Sequence, residues 1–381
     1  MTQLSRKAAI VGVDESDQIG RVPEKSSLQH HAEASYNALS DAGLKMSDVD
    51  AIYCAATSPL TIAEYLGITP KHTDGTSVGG SSFVIHVAHA MEAINAGLID
   101  VALITHGEAG RSQRSRAGVD MGLPGSQYEL PYGIAGPSMG YAMACTRYMH
   151  QYGEERTRQA LAEIAVSTRK WANLNPKAFF NDSPMSFDDY HNSRWVCWPF
   201  HLPDCCVVAD GGGACVVVSE AVARQCAKKP VWVLGVGEGH DHGMISQMPD
   251  LTRTIAHQTG PRALQMAGVT HDDIDLAMIY DSFTYTVLVT LESLGFCGPG
   301  EGPDFVANQR TAPGGEWPLN TSGGGLSYCH TGMYGMFLLL EAARQLRGEA
   351  GERQVADCKL ALVNGTGGFL SSCGTLVLGS D

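Results

Sequence analysis

Two rings that could carry a proton each follow an apolar stretch of the chain. Tyr280 lies in the segment MIYDSF at residues 278–283, and His330 lies in the glycine-rich segment GGGLSYCHTG at residues 323–332. An imidazole, with a reference pKa near ~6.5, acts as an acid or base at neutral pH, and a tyrosine hydroxyl can relay a proton or hydrogen-bond an alkoxide. We therefore predict that the two turns meet over one pocket, where Tyr280 and His330 carry out the chemistry.

The composition is that of a globular protein. Of 381 residues, 44% are hydrophobic and 17% are charged, which suits a large core and two halves of roughly 150 to 200 residues each. The formal net charge of −14 argues against nucleic acid or an anionic membrane as a partner. No apolar run reaches the ~18 residues of a membrane span, and the first residues enter a strand-like stretch without the architecture of a signal peptide.

The eleven cysteines are scattered through apolar runs. Their spacing is not typical of a zinc site, so we predict no metal site and reduced thiols in a cytoplasmic protein. His86 and His89 lie one turn apart on a predicted buried helix. A metal site there would lack further ligands in the sequence nearby, which favours a role in packing or pocket polarity.

Alternating buried strands and helices predict a parallel or mixed α/β sheet. In the first half, strands are predicted at residues 7–13, 50–56, 100–105 and 210–218, and helices at residues 26–42, ended by Gly43, and 77–97. A more polar stretch at about 107–205 is predicted to be a large inserted loop or cap with one amphipathic segment at 155–173.

The second half repeats the first. A new first strand is predicted at residues 229–235. The pattern Ala-Leu-x-x-Ala-Gly at 38–43 recurs at 263–268, the acidic pattern at 48–50 recurs at 273–275, the Gly-Gly pair at 79–80 recurs at 324–325, and the strand at 100–105 recurs at 359–364. Four matches in the same order predict a duplicated βαβαβ unit, with halves at 1–225 and 226–381.

In this order the motifs resemble those of the thiolase superfamily. Residues 79–97 correspond to its nucleophile loop and central helix, and residues 138–140 correspond to the loop region that lines the coenzyme A site. Residues 210–213 correspond to its D-G-A-A turn, and residues 280–283 correspond to its N-E-A-F or H-D-C-F motif. Residues 324–330 correspond to G-G-x-x-x-G-H-P, and residues 364–368 correspond to C-x-G-G-G. The resemblance implies two βαβαβ halves in a layered α-β-α-β-α arrangement with an inserted loop domain.

The two cysteines of a thiolase are missing. The nucleophile position falls on Gly80, and the position of the second cysteine, an acid/base, falls on Asn364. Ser81 or Ser82 could replace the nucleophile only with an adjacent base, and both are equally well explained as N-caps of the helix.

The combination of Tyr280 and His330 resembles the thiolase-like lipid-transfer group of the sterol carrier protein-type branch, which includes the aldolases of bacterial steroid side-chain degradation. Those aldolases carry Y-D-x-F at the first motif, as this chain does at 280–283, whereas His330 at the second motif is thiolase-like. The resemblance implies retro-aldol cleavage of a bulky β-hydroxyacyl-CoA without a cysteine nucleophile, with coenzyme A as part of the substrate and no tightly bound cofactor. By position in the motifs, the residues expected to contact the substrate or coenzyme A are Ser138, Met139, Phe283, Gly80, Ser81, Ser82, Asn364, Gly365 and Gly367.

Two other functions remain open from the sequence. One is a thiolase-type acyltransferase that uses His330 and an unusual nucleophile, and the other is a non-catalytic subunit that binds acyl-CoA or lipid. The resemblance also implies a homodimer, paired through the strand after the central helix, and a small OB-fold partner with a zinc ribbon in a heterotetramer-type complex.

Overall fold

One mixed sheet of nine strands organises the part of the chain that the computed structural model describes, residues 6–113 and 124–380. The strands, in chain order, are β1 (Ala8–Glu15), β2 (Ala51–Tyr53), β3 (His72–Asp74), β4 (Val101–Glu108), β5 (Trp195–Cys197), β6 (Phe200–His201), β7 (Gly211–Ser219), β8 (Val231–His240), β9 (Leu276–Ile279), β10 (Leu360–Gly367) and β11 (Ser372–Gly379). The large sheet has the order β3-β2-β4-β7-β1-β8-β11-β10-β9, and β5 and β6 form a separate hairpin.

Helices cover both faces of this sheet. They are α1 (Ser27–Ala42), α2 (Pro59–Leu66), α3 (Ser82–Asn95), α4 (Ser126–Glu129), α5 (Pro137–Tyr152), α6 (Glu154–Asn173), α7 (Phe187–His191), α8 (Glu220–Ala223), α9 (Ala256–Ala267), α10 (Thr284–Leu294), α11 (Gly302–Val306) and α12 (Gly335–Arg347). Helix α1 packs on β1, β4 and β7, and α9 packs on β8 and β11. Helices α3 and α12 contact strands of both halves, so they form a central layer.

The strand faces follow this layering. On β4, Ala102 and Ile104 face the central layer, whereas Leu103 faces the outer one. Because each half of the sheet is covered on both faces, its strands are almost wholly apolar. The predicted layered α/β fold is confirmed.

The duplication is visible at single contacts. Asp50 accepts hydrogen bonds from two backbone N–H groups where β4 begins, and Asp275 does the same where β10 begins. Gly43 ends α1 and Gly268 ends α9, each in the left-handed conformation that glycine adopts without strain. The two halves therefore share their capping chemistry as well as their order of elements.

Three sequence predictions differ from the structure. Helix α3 begins at Ser82 instead of residue 77, because Gly79 has a φ of +76° and the preceding residues form a tight turn. The described part of the insertion is largely helical, and residues 114–123 of it lie outside the described residues. The Gly-Gly pair at 324–325 belongs to a π-helical turn, Gly324–Tyr328, well before α12 begins.

The strand after the central helix was predicted to pair the sheets of two subunits in a homodimer. This strand is β4, and it lies inside the sheet, hydrogen-bonded to β2 on one side and to β7 on the other. It is therefore not free to pair with a second sheet. The edges of the described sheet are β3 and β9. Within residues 6–113 and 124–380, none of the helices is both long and apolar enough to cross a bilayer.

Candidate active site

Tyr280 and His330 meet at the end of β9. The Tyr280 hydroxyl lies 2.9 Å from His330 Nε2, and it accepts a hydrogen bond of 3.0 Å from the backbone N–H of Tyr334. Since a buried hydroxyl needs an acceptor for its own proton, it donates to a neutral imidazole at Nε2. Tyr280 is 4% exposed and His330 is 9% exposed. The two turns therefore do meet, and they bring both rings to one place.

The loop before α3 makes room for this pair. A Cβ on Gly80 would fall 2.1 Å from Tyr280 Cε2 and 2.5 Å from the Tyr280 hydroxyl oxygen. Position 80 is where the sequence motif places the thiolase nucleophile. The tyrosine ring occupies the space that a side chain at this position would need, so Tyr280 and a cysteine at position 80 exclude each other in this arrangement.

A buried carboxylate holds the glycine-rich turn. The side chain of Asp281 accepts hydrogen bonds from the backbone N–H groups of Gly325 at 2.7 Å and Leu326 at 3.1 Å. Further along, the chain forms the 330–334 turn, which carries the His330 ring at one end and the Tyr334 N–H at the other. His106 of β4 supports this turn, because its Nε2 atom lies 2.9 Å from both the carbonyl oxygen and the hydroxyl of Thr331.

Burial sets the protonation states of the site. It lowers the pKa of His330 to about 4 and raises the pKa of Tyr280 well above its ordinary value of 10. Both rings are therefore neutral at neutral pH. The imidazole is available as a proton acceptor, and it is a weaker base than its reference pKa suggested. Burial also raises the pKa of Asp281 to about 7, against the two N–H groups that favour its ionised form.

Several predicted residues build the wall behind the pair. A Cβ on Gly367 would fall 1.7 Å from the carbonyl oxygen of Val78, and one on Gly365 would fall 2.9 Å from Ser81 Cα. The end of β10 therefore packs directly on the Gly80 loop. Ser82 donates to the carbonyl oxygen of Gly79 at 2.6 Å, and Ser81 donates to that of Val78 at 3.2 Å.

The serines do not cap α3 as the sequence suggested. Ser81 occupies the N-cap position, but its side chain makes no capping hydrogen bond. Both serine hydroxyls are bonded within the 78–82 turn, and both residues are fully buried. They stabilise the turn from inside.

Four other predicted residues lie apart from the pair. Phe283 stacks on Phe200 with a ring distance of 5.2 Å, and it lines the inner side of α5. The Asn364 amide turns to the outer layer, where it donates to Thr375 at 2.8 Å. Ser138 and Met139 lie at the start of α5, and Met139 lines a surface groove of about 380 Å³.

The histidines of α3 have protein partners. His89 Nδ1 lies 2.5 Å from Asp74 and its Nε2 lies 3.0 Å from Glu238, while His86 Nε2 lies 3.0 Å from the carbonyl oxygen of Thr76. Among the residues that the structure describes, no group of three or more His, Cys, Asp or Glu side chains could hold a metal ion.

Comparison with known proteins identifies the family. A protein-family model described as "Thiolase C-terminal domain-like" matches residues 237–380. A steroid side-chain-cleaving aldolase of Thermomonospora curvata is 35% identical over 404 aligned positions that cover 100% of both chains. A 17-hydroxy-3-oxo-4-pregnene-20-carboxyl-CoA lyase of Mycobacterium tuberculosis is 34% identical, over 91% of this chain and 92% of the other. The chain belongs to the aldolase group of the thiolase superfamily.

Solved structures agree with this thiolase-superfamily assignment. The Ltp2-ChsH2(DUF35) aldolase has a TM-score of 0.90 at 34% identity and covers 99% of both chains. Human mitochondrial 3-ketoacyl-CoA thiolase has a TM-score of 0.71 at 15% identity, which shows the shared fold alone. The prediction of a thiolase-fold aldolase is confirmed, and the acyltransferases are more distant relatives.

Four groups of this thiolase-superfamily site were not predicted from the sequence. They are the Tyr334 N–H, the Asp281 carboxyl, the His106 ring and the carboxyl of Glu108, which lies against Gly332. Asp281, His106 and Glu108 share one signal, since each lies at or near the end of a buried strand, where the ends of neighbouring strands converge. The Tyr334 N–H is a backbone group and leaves no such signal.

Proposed function

We propose that this chain cleaves a bulky β-hydroxyacyl-CoA by a retro-aldol reaction, in the catabolism of a steroid or related side chain. The observation that carries the proposal is the hydrogen-bonded pair of Tyr280 and His330, which occupies the space of a nucleophilic side chain at position 80. The names of two relatives that are 34–35% identical, a side-chain-cleaving aldolase and a carboxyl-CoA lyase, support it.

The pair fits the first half of the reaction. The substrate's β-hydroxyl passes its proton to the Tyr280 oxygen while the Tyr280 proton moves to His330 Nε2. The bond between the α and β carbons breaks, the β carbon becomes the carbonyl carbon of a ketone or aldehyde, and the bonding electrons form the thioester enolate. The Tyr334 N–H stabilises negative charge that develops on the Tyr280 oxygen.

The second half returns the proton. The enolate takes a proton at its α carbon from the pair, which yields the short acyl-CoA and restores neutral His330. We assign the thioester oxygen to the backbone where the Gly79–Ser82 loop meets residues 365–368. A Cβ on Gly79 would fall 2.6 Å from the Gly368 nitrogen, so the backbones of these two segments approach closely at this point.

We also propose the predicted assembly. A small OB-fold partner with a zinc ribbon, in a heterotetramer-type complex around a homodimer, is supported by the Ltp2-ChsH2(DUF35) aldolase, a structure of two named components. Strand β3 is a short edge strand of the described sheet, and its outer backbone groups, which no described strand pairs, could pair with a second copy. The eleven free cysteines support a reducing, cytoplasmic setting.

Mass spectrometry of products tests the reaction. The protein is incubated with β-hydroxyacyl-CoAs and β-ketoacyl-CoAs, with and without free CoA, alone and with any small protein that co-purifies. Cleavage of the hydroxy substrates without free CoA is expected. Cleavage of the keto substrates alone, and only with CoA, would show a thiolase and overturn the proposal.

Substitution of the pair tests the mechanism. Tyr280→Phe and His330→Ala are each expected to lower kcat by about 10²- to 10⁴-fold, because each removes a proton-transfer step. Tyr285→Phe is the matched control, since it removes a buried hydroxyl that donates to the Leu251 carbonyl away from the pair. Full activity in either variant of the pair would remove that residue from the mechanism.

A further inference from the structure

Glu108, the last residue of β4, is a half-buried carboxyl beside the turn that holds His330. It follows Ile104 and His106 on the face of β4 that packs into the central layer, because alternate residues of a strand share a face. A Cβ on Gly332 would fall 2.1 Å from Glu108 Oε2. The carboxyl therefore lies directly against Gly332, at the apex of the 330–334 turn.

This turn holds both hydrogen-bond partners of the Tyr280 hydroxyl. His330 precedes Gly332 by two residues and the Tyr334 N–H follows it by two. Gly332 has a φ of +82°, so the turn doubles back at the point that Glu108 contacts. The point that Glu108 contacts therefore lies two residues along the chain from each of these groups.

The carboxyl of Glu108 has a different environment from the carboxyl of Glu15 at the end of β1. Glu15 is fully buried, and ion pairs with Arg344 and Lys177 lower its pKa to about 2. For Glu108, the described chain at 6–113 and 124–380 supplies neither a hydrogen-bond donor nor a cation, and burial raises its pKa to about 7. It can therefore gain or lose a proton near neutral pH.

We propose that Glu108 is a positioning residue of the aldolase site: its carboxylate stabilises the imidazolium of His330 while that ring holds the proton of the substrate hydroxyl. The inference rests on the proposed function. His330 in its buried site is a weak base, and a negative charge across Gly332 offsets part of the cost of protonating it. Once the enolate has taken the proton back, the imidazole is neutral again and no proton is consumed.

Other ionisable groups lie near this turn, but each of them already has a hydrogen-bond partner in the protein. Asp281 accepts from two backbone N–H groups, and His106 contacts Thr331. Asp210, at the nearby start of β7, accepts from the backbone of Val22 and from Ser112. Since the pKa of Asp281 also lies at about 7, an experiment must separate its ionisation from that of Glu108.

The pH profile of the Glu108→Gln variant makes this separation. In the wild type, kcat/KM is expected to rise with pH through about 7 as Glu108 ionises. In Glu108→Gln, kcat is expected to fall by about 10- to 100-fold with KM within threefold, and the rise near pH 7 is lost. Glu108→Asp is expected to recover part of kcat and the rise. The control is Glu129→Gln, the same change at a buried glutamate that accepts from the Ser246 N–H.

A measurement without turnover tests Glu108 separately from the proposed function. The ring signals of His330 in an NMR titration are expected to shift near pH 7 in the wild type and in Glu129→Gln, and to lose this shift in Glu108→Gln. A wild type that cleaves no substrate would overturn the proposed function alone. A Glu108→Gln variant that retains both the pH profile and the His330 shift would overturn this inference and assign the ionisation to Asp281.

Discussion

The loop before α3 and the turn before α12 lie in equivalent places in the two halves of the molecule, but they bring different groups to the site. The first reaches the site with Gly80, which has no side chain. The second reaches it with the His330 ring and the Tyr334 N–H. Tyr280 bridges them, since its ring fills the space beside Gly80 and its hydroxyl bonds to the 330–334 turn.

This difference explains how one fold can support two chemistries. A thiolase-like site requires a nucleophilic side chain at the N-terminus of the central helix. Here that volume belongs to an aromatic ring from the other half, which brings a hydroxyl to the same place. The change from covalent catalysis to proton transfer therefore follows from which half fills the shared space.

The largest effect is expected from filling position 80. A Cβ in Gly80→Ala would lie 2.1 Å from the Tyr280 ring, so the ring must move and its bond to His330 is lost. We expect kcat to fall at least 100-fold and the free energy of unfolding to fall by about 1–3 kcal/mol. Steady-state kinetics and urea unfolding measure these changes.

Gly243→Ala is the matched control, because a Cβ there meets no atom of the described residues within 4 Å. In a Tyr280→Ala background, Gly80→Ala should cost little further stability, since the clash is already removed. Additive losses of stability in the double variant would contradict the shared-volume explanation.

The sequence was sufficient where signals are local. Helix α1 was expected at 26–42 and extends over Ser27–Ala42, because Ser26 caps its start and Gly43 ends it. The contact between Gly80 and Tyr280 joins residues far apart in the chain, and only packing reveals it. Likewise, the outward turn of Asn364 depends on a hydroxyl of β11, and the weak basicity of His330 depends on its burial.

A smaller loss is expected from weakening the support of the turn before α12. Asp281→Asn replaces one acceptor oxygen with an N–H₂ group that faces a backbone donor. We expect a loss of about 1–3 kcal/mol in the free energy of unfolding and a roughly tenfold lower kcat, because the Gly324–Tyr328 turn, which leads into the 330–334 turn, loses one of its two hydrogen bonds to this side chain. Asp273→Asn is the control, because Asp273 is exposed in the short turn His271–Asp273 and accepts from the backbone N–H of Thr270. Unchanged kinetics in Asp281→Asn would show that the turn is held from elsewhere.

A clamp between the halves gives a smaller, pH-dependent effect. His89 of α3 bonds to Asp74 and, across the halves, to Glu238, and these partners raise the pKa of His89 to about 9. Because the folded pKa lies above the unfolded value of ~6.5, this stabilisation is complete below pH 6.5 and is lost as the pH rises through 9. After solvent screening we expect about 1 kcal/mol. Urea unfolding at pH 6 and 9.5 should show this loss in the wild type and not in His89→Gln.

The smallest effect is expected at Ser81, the serine of the first half that could replace the missing nucleophilic cysteine. A chain of hydrogen bonds links Ser81 to Ser372 at 2.8 Å and Ser372 to His240 Nδ1 at 3.0 Å. Its direction is wrong for catalysis, because Ser81 donates to the Val78 carbonyl, accepts from Ser372, and so leaves His240 as a donor. Ser81→Ala should therefore keep kcat within about threefold. A loss above 100-fold, with a stable fold, would identify Ser81 as a nucleophile and return the chemistry to the loop before α3.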